Sequence, residues 1–264
     1  MLLEEFDNRS GAIIEPGMIV TPLEDFPEVT VACFSVDQFE AIINILDDVQ
    51  EICFARSAGV HIPMYAATYG GERIAFFRMP VGEPAAVGIY EDFMAFGSKR
   101  LILAGICGVL DRSIADLGII IPNAAIRDEG CSYHYAPPSD ELAVNHDEKY
   151  VRLFKEVCAE AGYNWVEGKT WTTDAMYRET RDKMERRKQQ GAICVEMECA
   201  GLQAACDYRG TEFFQFLYAG DNLDHSQWQP RSLGSQERLD DKARIVLLAF
   251  ELAVKISKEG EANE

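Results

Sequence analysis

The sequence is short of positive charge: 25 Lys and Arg stand against 44 Asp and Glu, a formal net charge of −19 over 264 residues. Nucleic-acid binding draws most of its affinity from Lys and Arg on phosphates, so no nucleic-acid partner is expected. The longest basic run is Arg186-Arg187-Lys188, preceded by Glu185, and it reads as a solvated helix face. Long apolar runs are lacking as well, and none is of a length that would span a bilayer. The first residues, MLLEEFDNRS, carry acids where a secretion signal carries basic residues. A cytoplasmic chain with no membrane partner is the expectation. None of the eight cysteines forms Cys-x-x-Cys or lies at zinc spacing from a histidine, and the four histidines (61, 134, 146 and 225) are scattered. No metal and no cofactor are expected. The cysteines read as small buried hydrophobes in a reducing compartment. Internal repeats and low-complexity tracts are absent too.

What is present is an alternation of strand-like and helix-like segments. A chain of this length makes one large α/β domain or two small ones. Alternation argues for an α/β fold with a mixed or mostly parallel sheet. The pattern predicts strands over 29–34, 99–104, 117–122, 164–170 and 211–219. It predicts helices over 36–46, 85–96, 147–161 and 238–258, with Pro84 suited to the first turn of the second. Tyr69-Gly70-Gly71-Glu72 signals a hairpin. Residues 1–28 form an N-terminal extension and 259–264 a frayed tail. Gly105-Ile106-Cys107-Gly108 is read as following a strand, where glycine permits a tight turn or a close approach of backbone to a ligand.

The segment GAICVEMECAGLQAAC, 191–206, carries the most information. In Val195-Glu196-Met197-Glu198 two carboxylates stand at the mouth of a helix rich in small residues. Burying them is costly without hydrogen-bond donors. The vicinal hydroxyls of a sugar are one set of donors. Capping of the helix is the other explanation, and the spacing alone leaves both open. LYAGDNLD follows, with Asp221 at the end of a predicted strand; an Asp there also suits a turn or a cap. Ligands of open α/β sheets bind outside the carboxyl ends of strands. Cys107-Gly108, Thr172-Thr173-Asp174 and Gly220-Asp221 would all converge there on one cleft.

These motifs resemble the nucleoside phosphorylase-I superfamily, which includes purine nucleoside phosphorylases, uridine phosphorylases and related nucleosidases. V-E-M-E-x-A at 195–200 is the most specific element. Gly105-x-Cys107-Gly108, the hairpin with Val81-Gly82-Glu83-Pro84, Arg127-Asp128-Glu129-Gly130 with Ser132-Tyr133-His134-Tyr135, Thr173-Asp174-Ala175-Met176-Tyr177 and Gly220-Asp221-Asn222-Leu223 support it in order. The resemblance implies a single phosphorylase-like domain with a central mixed β-sheet flanked by helices. It implies cleavage of a nucleoside by phosphate, the co-substrate, giving free base and ribose 1-phosphate. It places Met197 on the ribose, Glu198 on its 2′ and 3′ hydroxyls and Glu196 nearby. Met176 takes the place of the family's base-stacking aromatic, with Tyr177 beside it, and Cys107 and Gly108 line the base pocket.

The base is expected to be a purine, with uridine the other possibility. Thr180 and Asp182 stand where uridine phosphorylases carry Gln and Arg. Asp221 stands where purine-acting members carry an acid that protonates the leaving base. The 127–135 segment also resembles uridine phosphorylases. The resemblance further implies sites shared across a dimer interface, with Tyr133 or His134 reaching a neighbouring copy, in a homodimer or a trimer of dimers.

The phosphate site departs from the pattern. Phe34-Ser35-Val36-Asp37-Gln38-Phe39, Leu103 and Ile106 stand where the family places its phosphate donors, which leaves Arg56, Arg73 and Arg78 as possible substitutes. Two further readings therefore stand beside the phosphorylase. One is a nucleosidase in which Glu83 activates water; the other is a non-catalytic nucleoside-binding protein.

Overall fold

The computed structural model describes residues 2–8 and 11–261. Among the described residues ten strands form one mixed sheet, with six α-helices against it. The chain enters through β1 (Val29–Cys33), α1 (Val36–Ile43) and β2 (Asp47–Arg56). The hairpin β3 (His61–Tyr69) and β4 (Glu72–Arg78) leads to α2 (Glu83–Phe96) and β5 (Arg100–Val109). Next come β6 (Ile119–Asp128), β7 (Glu141–Ala143), α3 (Glu148–Glu160) and β8 (Trp165–Thr173). The last third holds α4 (Arg181–Gln189), β9 (Ala192–Glu196), α5 (Cys199–Arg209), β10 (Glu212–Asn222) and α6 (Leu239–Glu261).

Alternation of side chains along the strands builds two cores. On β4 and β5, Ile74, Phe76, Ile102 and Ala104 point to a layer shared with Phe154 of α3 and Phe250 of α6. Ala75, Phe77, Leu101 and Leu103 point to the opposite layer, with Tyr90 and Phe93 of α2 and Leu202 of α5. Successive residues of a strand face opposite sides of a sheet, so a strand buried at every position, such as Val29–Cys33, is covered on both faces; its one polar residue, Thr30, is hydrogen-bonded to Ser98.

The strand order is β10-β6-β8-β9-β5-β1-β4-β3-β2, and β10 also pairs with β5 in parallel. Five strands (β10, β6, β8, β9 and β5) thus close on themselves, β7 adds to β6, and β1, β4, β3 and β2 extend as an open wing. The hairpin at Gly70-Gly71 forms as expected, in antiparallel register from Met64↔Phe77 to Tyr69↔Glu72.

Several boundaries differ from the sequence expectations. The first helix stops at Ile43 rather than 46. Gly105-Ile106-Cys107-Gly108 lies inside β5, not in a turn after it. A Cβ at Gly105 would meet Leu217 Cδ2 at 2.7 Å, and one at Gly108 would meet Leu223 Cδ1 at 2.5 Å; these glycines let neighbouring segments close on the strand. The closing helix runs through Glu261, beyond the start of the expected tail, and Glu259 pairs with Arg152 at 3.2 Å. Residues 1, 9, 10 and 262–264 of the expected extension and tail lie outside the described residues. The basic run on α4 is not a uniformly solvated face: Arg187 pairs with Asp128 at 3.2 Å and Lys188 with Asp224 at 2.6 Å. No helix among the described residues is long and apolar enough to cross a membrane.

Candidate functional site

A cavity of about 580 Å³ opens where β5, β9 and β10 end. Eight of the residues singled out in the sequence line it: Cys107, Gly108, Met176, Tyr177, Glu196, Met197, Glu198 and Asp221.

The two glutamates of the Val-Glu-Met-Glu segment divide the alternatives between them. A helix leaves its first N–H groups without intrahelical partners. At α5 the Oε2 of Glu196 accepts from Glu198 N at 2.8 Å and from Cys199 N at 2.6 Å. Thr172 Oγ1 accepts from Ala200 N at 3.3 Å, and Glu83 Oε1 accepts from Gly201 N at 2.6 Å. Thr172 and Thr170 hydroxyls donate to the other oxygen of Glu196, at 2.6 and 3.2 Å. Glu196 is therefore a capping carboxylate with both oxygens occupied. Burial pushes it up, and the four donors, Thr172 first, oppose that.

Glu198 makes no cap bond. One oxygen accepts from Gly82 N at 2.7 Å, and the carboxylate lines the cavity with an oxygen to spare. Gly82 sits at φ 92°, a conformation that favours glycine, just before α2. Burial, and then the charge of Glu196, push Glu198 up to about 8. Of the pair, Glu198 takes the proton, because Glu196 has four donors on its two oxygens and Glu198 only backbone amides, that of Gly82 foremost.

Asp221 owes its aim to a bulge. The β10–β5 register shifts between Ala219↔Cys107 and Asp221↔Gly108, leaving Gly220 extra. A bulge re-aims the following side chain, and here a Cβ on Gly220 would lie 2.4 Å from Ile106 Cδ1. Beyond β10 the chain folds back: Asn222 and Gln229 exchange backbone hydrogen bonds at 2.9 and 3.1 Å. That return puts Trp228 on Asp221, and its Nε1–H donates to Oδ2 at 2.6 Å. Burial pushes Asp221 up, and the indole donor opposes it.

Five further lining residues were not singled out in the sequence: Glu179, Arg181, Met184, Trp228 and Leu233. Glu179 follows the turn Met176–Arg178 and precedes Thr180, whose hydroxyl accepts from Lys183 N at 3.4 Å to cap α4. That Thr-x-x-Lys start is legible in the sequence, and it places Glu179 just outside the helix, beside Met176 and Tyr177. Burial, then the charge of Asp221, push Glu179 up to about 7. Arg181 donates to His225 O at 2.7 Å, tying this turn to the loop that carries Trp228.

Several residues named in the sequence stand outside the cavity. Glu83 does not line the cavity: it is fully buried, holds Gly201 N and leaves Oε2 without a hydrogen bond. Burial and the neighbouring Glu129 carboxyl push it well above the usual carboxylate range. A proton on Oε2 would link the two acids. Glu83 is thus a structural acid behind the site rather than a base beside a water. Tyr133 lies under the Arg127 guanidinium at 3.8 Å and donates to Arg127 O and Ser139 O, and His134 is exposed. Neither reaches this chain's cavity. Arg56, Arg73 and Arg78 do not line it either; among the described residues, Arg181 is the one Lys or Arg that does. Phe34 and Ile106 line the wall where the family pattern carries phosphate donors.

The chain belongs to the phosphorylase superfamily, whose family model matches residues 28–256. Among curated proteins it is similar to the DeoD-type 2 purine nucleoside phosphorylase of Photobacterium profundum. That match is 23% identical over 220 residues, covering 81% of this chain and 87% of the relative. It is similar also to the DeoD-type purine nucleoside phosphorylase of Bacillus cereus, at 24% over 193 residues, 72% of this chain and 80% of the relative. The fold matches the crystal structure of purine nucleoside phosphorylase from Toxoplasma gondii in complex with immucillin-H. Its TM-score is 0.72, at 19% identity, over 87% of this chain and 94% of that one.

Proposed function

We propose that this chain cleaves the N-glycosidic bond of purine nucleosides and transfers the ribosyl group to phosphate. The observation that carries this reading is one cavity holding two carboxyl groups, Glu198 and Asp221, each fixed on one oxygen by a protein N–H. Glu198 accepts the 2′ and 3′ hydroxyls, while Met197 packs on the sugar. Asp221 gives a proton to N7 of the base. The N9–C1′ bond breaks with its electron pair going to the base, a phosphate oxygen bonds to C1′, and solvent reprotonates Asp221. General acid assistance of this kind contributes about 10²–10⁴-fold. Met176 and Tyr177 flank the base, and a thioether packs well on a π face. As the family resemblance implies, Tyr133 or His134 serves a neighbouring copy in a homodimer or trimer of dimers, a reading the exposure of His134 supports.

A second reading, water in place of phosphate, is favoured by the apolar wall of Phe34 and Ile106. A phosphate dianion needs paired donors or cations. The test is incubation with adenosine and inosine, with and without phosphate, following free base and sugar product. Phosphate-dependent release of base with ribose 1-phosphate is expected. Equal release without phosphate would make the chain a hydrolase, and binding without release would leave a nucleoside-binding protein.

A further inference from the structure

Glu179 is the group in the cavity wall that the proposed reaction leaves unused. It is half-buried, and its carboxylate has no hydrogen-bond or ion partner among the described residues. A carboxylate half-withdrawn from water without a protein donor is complementary to a ligand that brings one. It shares the cavity with Asp221, near enough for the charge of Asp221 to act on it. Asp221 is already held at Oδ2 by Trp228, which leaves Oδ1 for a ligand.

In the proposed reaction Asp221 is the acid that donates to N7, while Glu179, which has no protein donor of its own, is left to accept; lining one cavity, the two present one donor and one acceptor to a base. The edges of the purines differ in what they offer such a pair. A 6-aminopurine presents an acceptor at N7 next to a donor at its amino group, whereas a 6-oxopurine presents two acceptors, N7 and O6. The first edge satisfies both carboxyl groups. The second sets a carbonyl oxygen against a carboxylate.

Resting on the reading of the cavity as a purine nucleoside site, we infer that Glu179 selects 6-aminopurines over 6-oxopurines by accepting a hydrogen bond from the exocyclic amine beside Asp221. Arg181 supports the placement, because its bond to His225 O ties the turn carrying Glu179 to the loop carrying Trp228.

The test is calorimetric titration of the whole protein with adenine and with hypoxanthine, for wild type, Glu179→Leu and Glu179→Gln. Thermal melting serves as the control for folding. Wild type is expected to prefer adenine by about ten- to a hundredfold, the range of one charge-assisted hydrogen bond. In Glu179→Leu the preference collapses toward one through weaker adenine binding. In Glu179→Gln the amide turns to accept or to donate, so the two bases bind comparably. Equal affinities in wild type, or a preference that survives in Glu179→Leu, would overturn the inference and leave the nucleoside reading standing. Binding of neither base by wild type would overturn both.

Discussion

Replacing Glu196 by Gln tests the division of labour between two carboxylates two residues apart. The carboxylate accepts two backbone N–H bonds on one oxygen and two threonine hydroxyls on the other. An amide has one acceptor end. Facing its NH₂ at the backbone would set donor against donor, so the carbonyl must keep the amides of Glu198 and Cys199, and the threonine hydroxyls must turn to accept. All four bonds then change from charge-assisted, about 1.5–3 kcal/mol each, to neutral, about 0.5–1.5 kcal/mol each. The gross loss is about 4–6 kcal/mol, and relief from burying a charge offsets much of it. A net cost of about 1–3 kcal/mol lowers the melting temperature of a chain this size by roughly 3–10 °C. Glu198→Gln behaves differently, since its short bond from Gly82 N is kept by the amide carbonyl. It should melt close to wild type and lose nucleoside affinity. Calorimetric melting and nucleoside titration of both variants decide the matter. A Glu196→Gln protein that melts with wild type, or a Glu198→Gln protein that binds nucleoside as wild type does, would refute the assignment.

The sheet and its helices were legible because burial on two faces leaves apolar runs, and amphipathic helices leave a 3.6-residue period. The strand β2 was not, because as an edge strand it is mostly exposed and begins Asp47-Asp48. The closing of five strands into a ring is carried by β10 pairing on both sides, and no local pattern encodes that partner choice. Glycines in 105–108 resembled a turn, yet their smallness serves contacts with Leu217 and Leu223, far along the chain. At the site, Glu198 and Asp221 stood out because each follows an apolar strand. The separate tasks of Glu196 and Glu198 did not, since the threonines that saturate Glu196 come from β8. Glu83 was misread for a related reason. Its neighbours Glu129 and Gly201 are distant in sequence, and only folding turns the side chain away from the cavity.

Gly201→Ala should destabilise the protein by about 1–3 kcal/mol, the usual cost of overpacking a tight interior, because the new Cβ would lie 2.6 Å from Glu83 Cδ; an unchanged melting temperature would contradict that packing. A pH dependence follows from Glu198, pushed up to about 8 by burial and by Glu196. Sugar hydroxyls donate, so they favour the carboxylate, and a proton on Glu198 competes with them. The bound state then has the lower pKa, and binding releases a proton. Affinity should rise with pH below about 8, by up to tenfold per unit, and level off above it. For the unliganded fold the sign is reversed. An acid raised from its ordinary 4.5 makes the fold less stable as pH climbs toward about 8, because the unfolded chain gives up that proton first. Glu179 and Asp221 titrate in the same cavity, so the informative quantity is the ratio of nucleoside Kd between Glu198→Gln and wild type. That ratio should grow from pH 6 to about 8 and then stay flat, because the amide has no proton to lose while the carboxylate gains acceptor strength as it ionises. A ratio constant across this range would mean that the hydroxyls do not meet Glu198, and the sugar would have to lie elsewhere in the cavity.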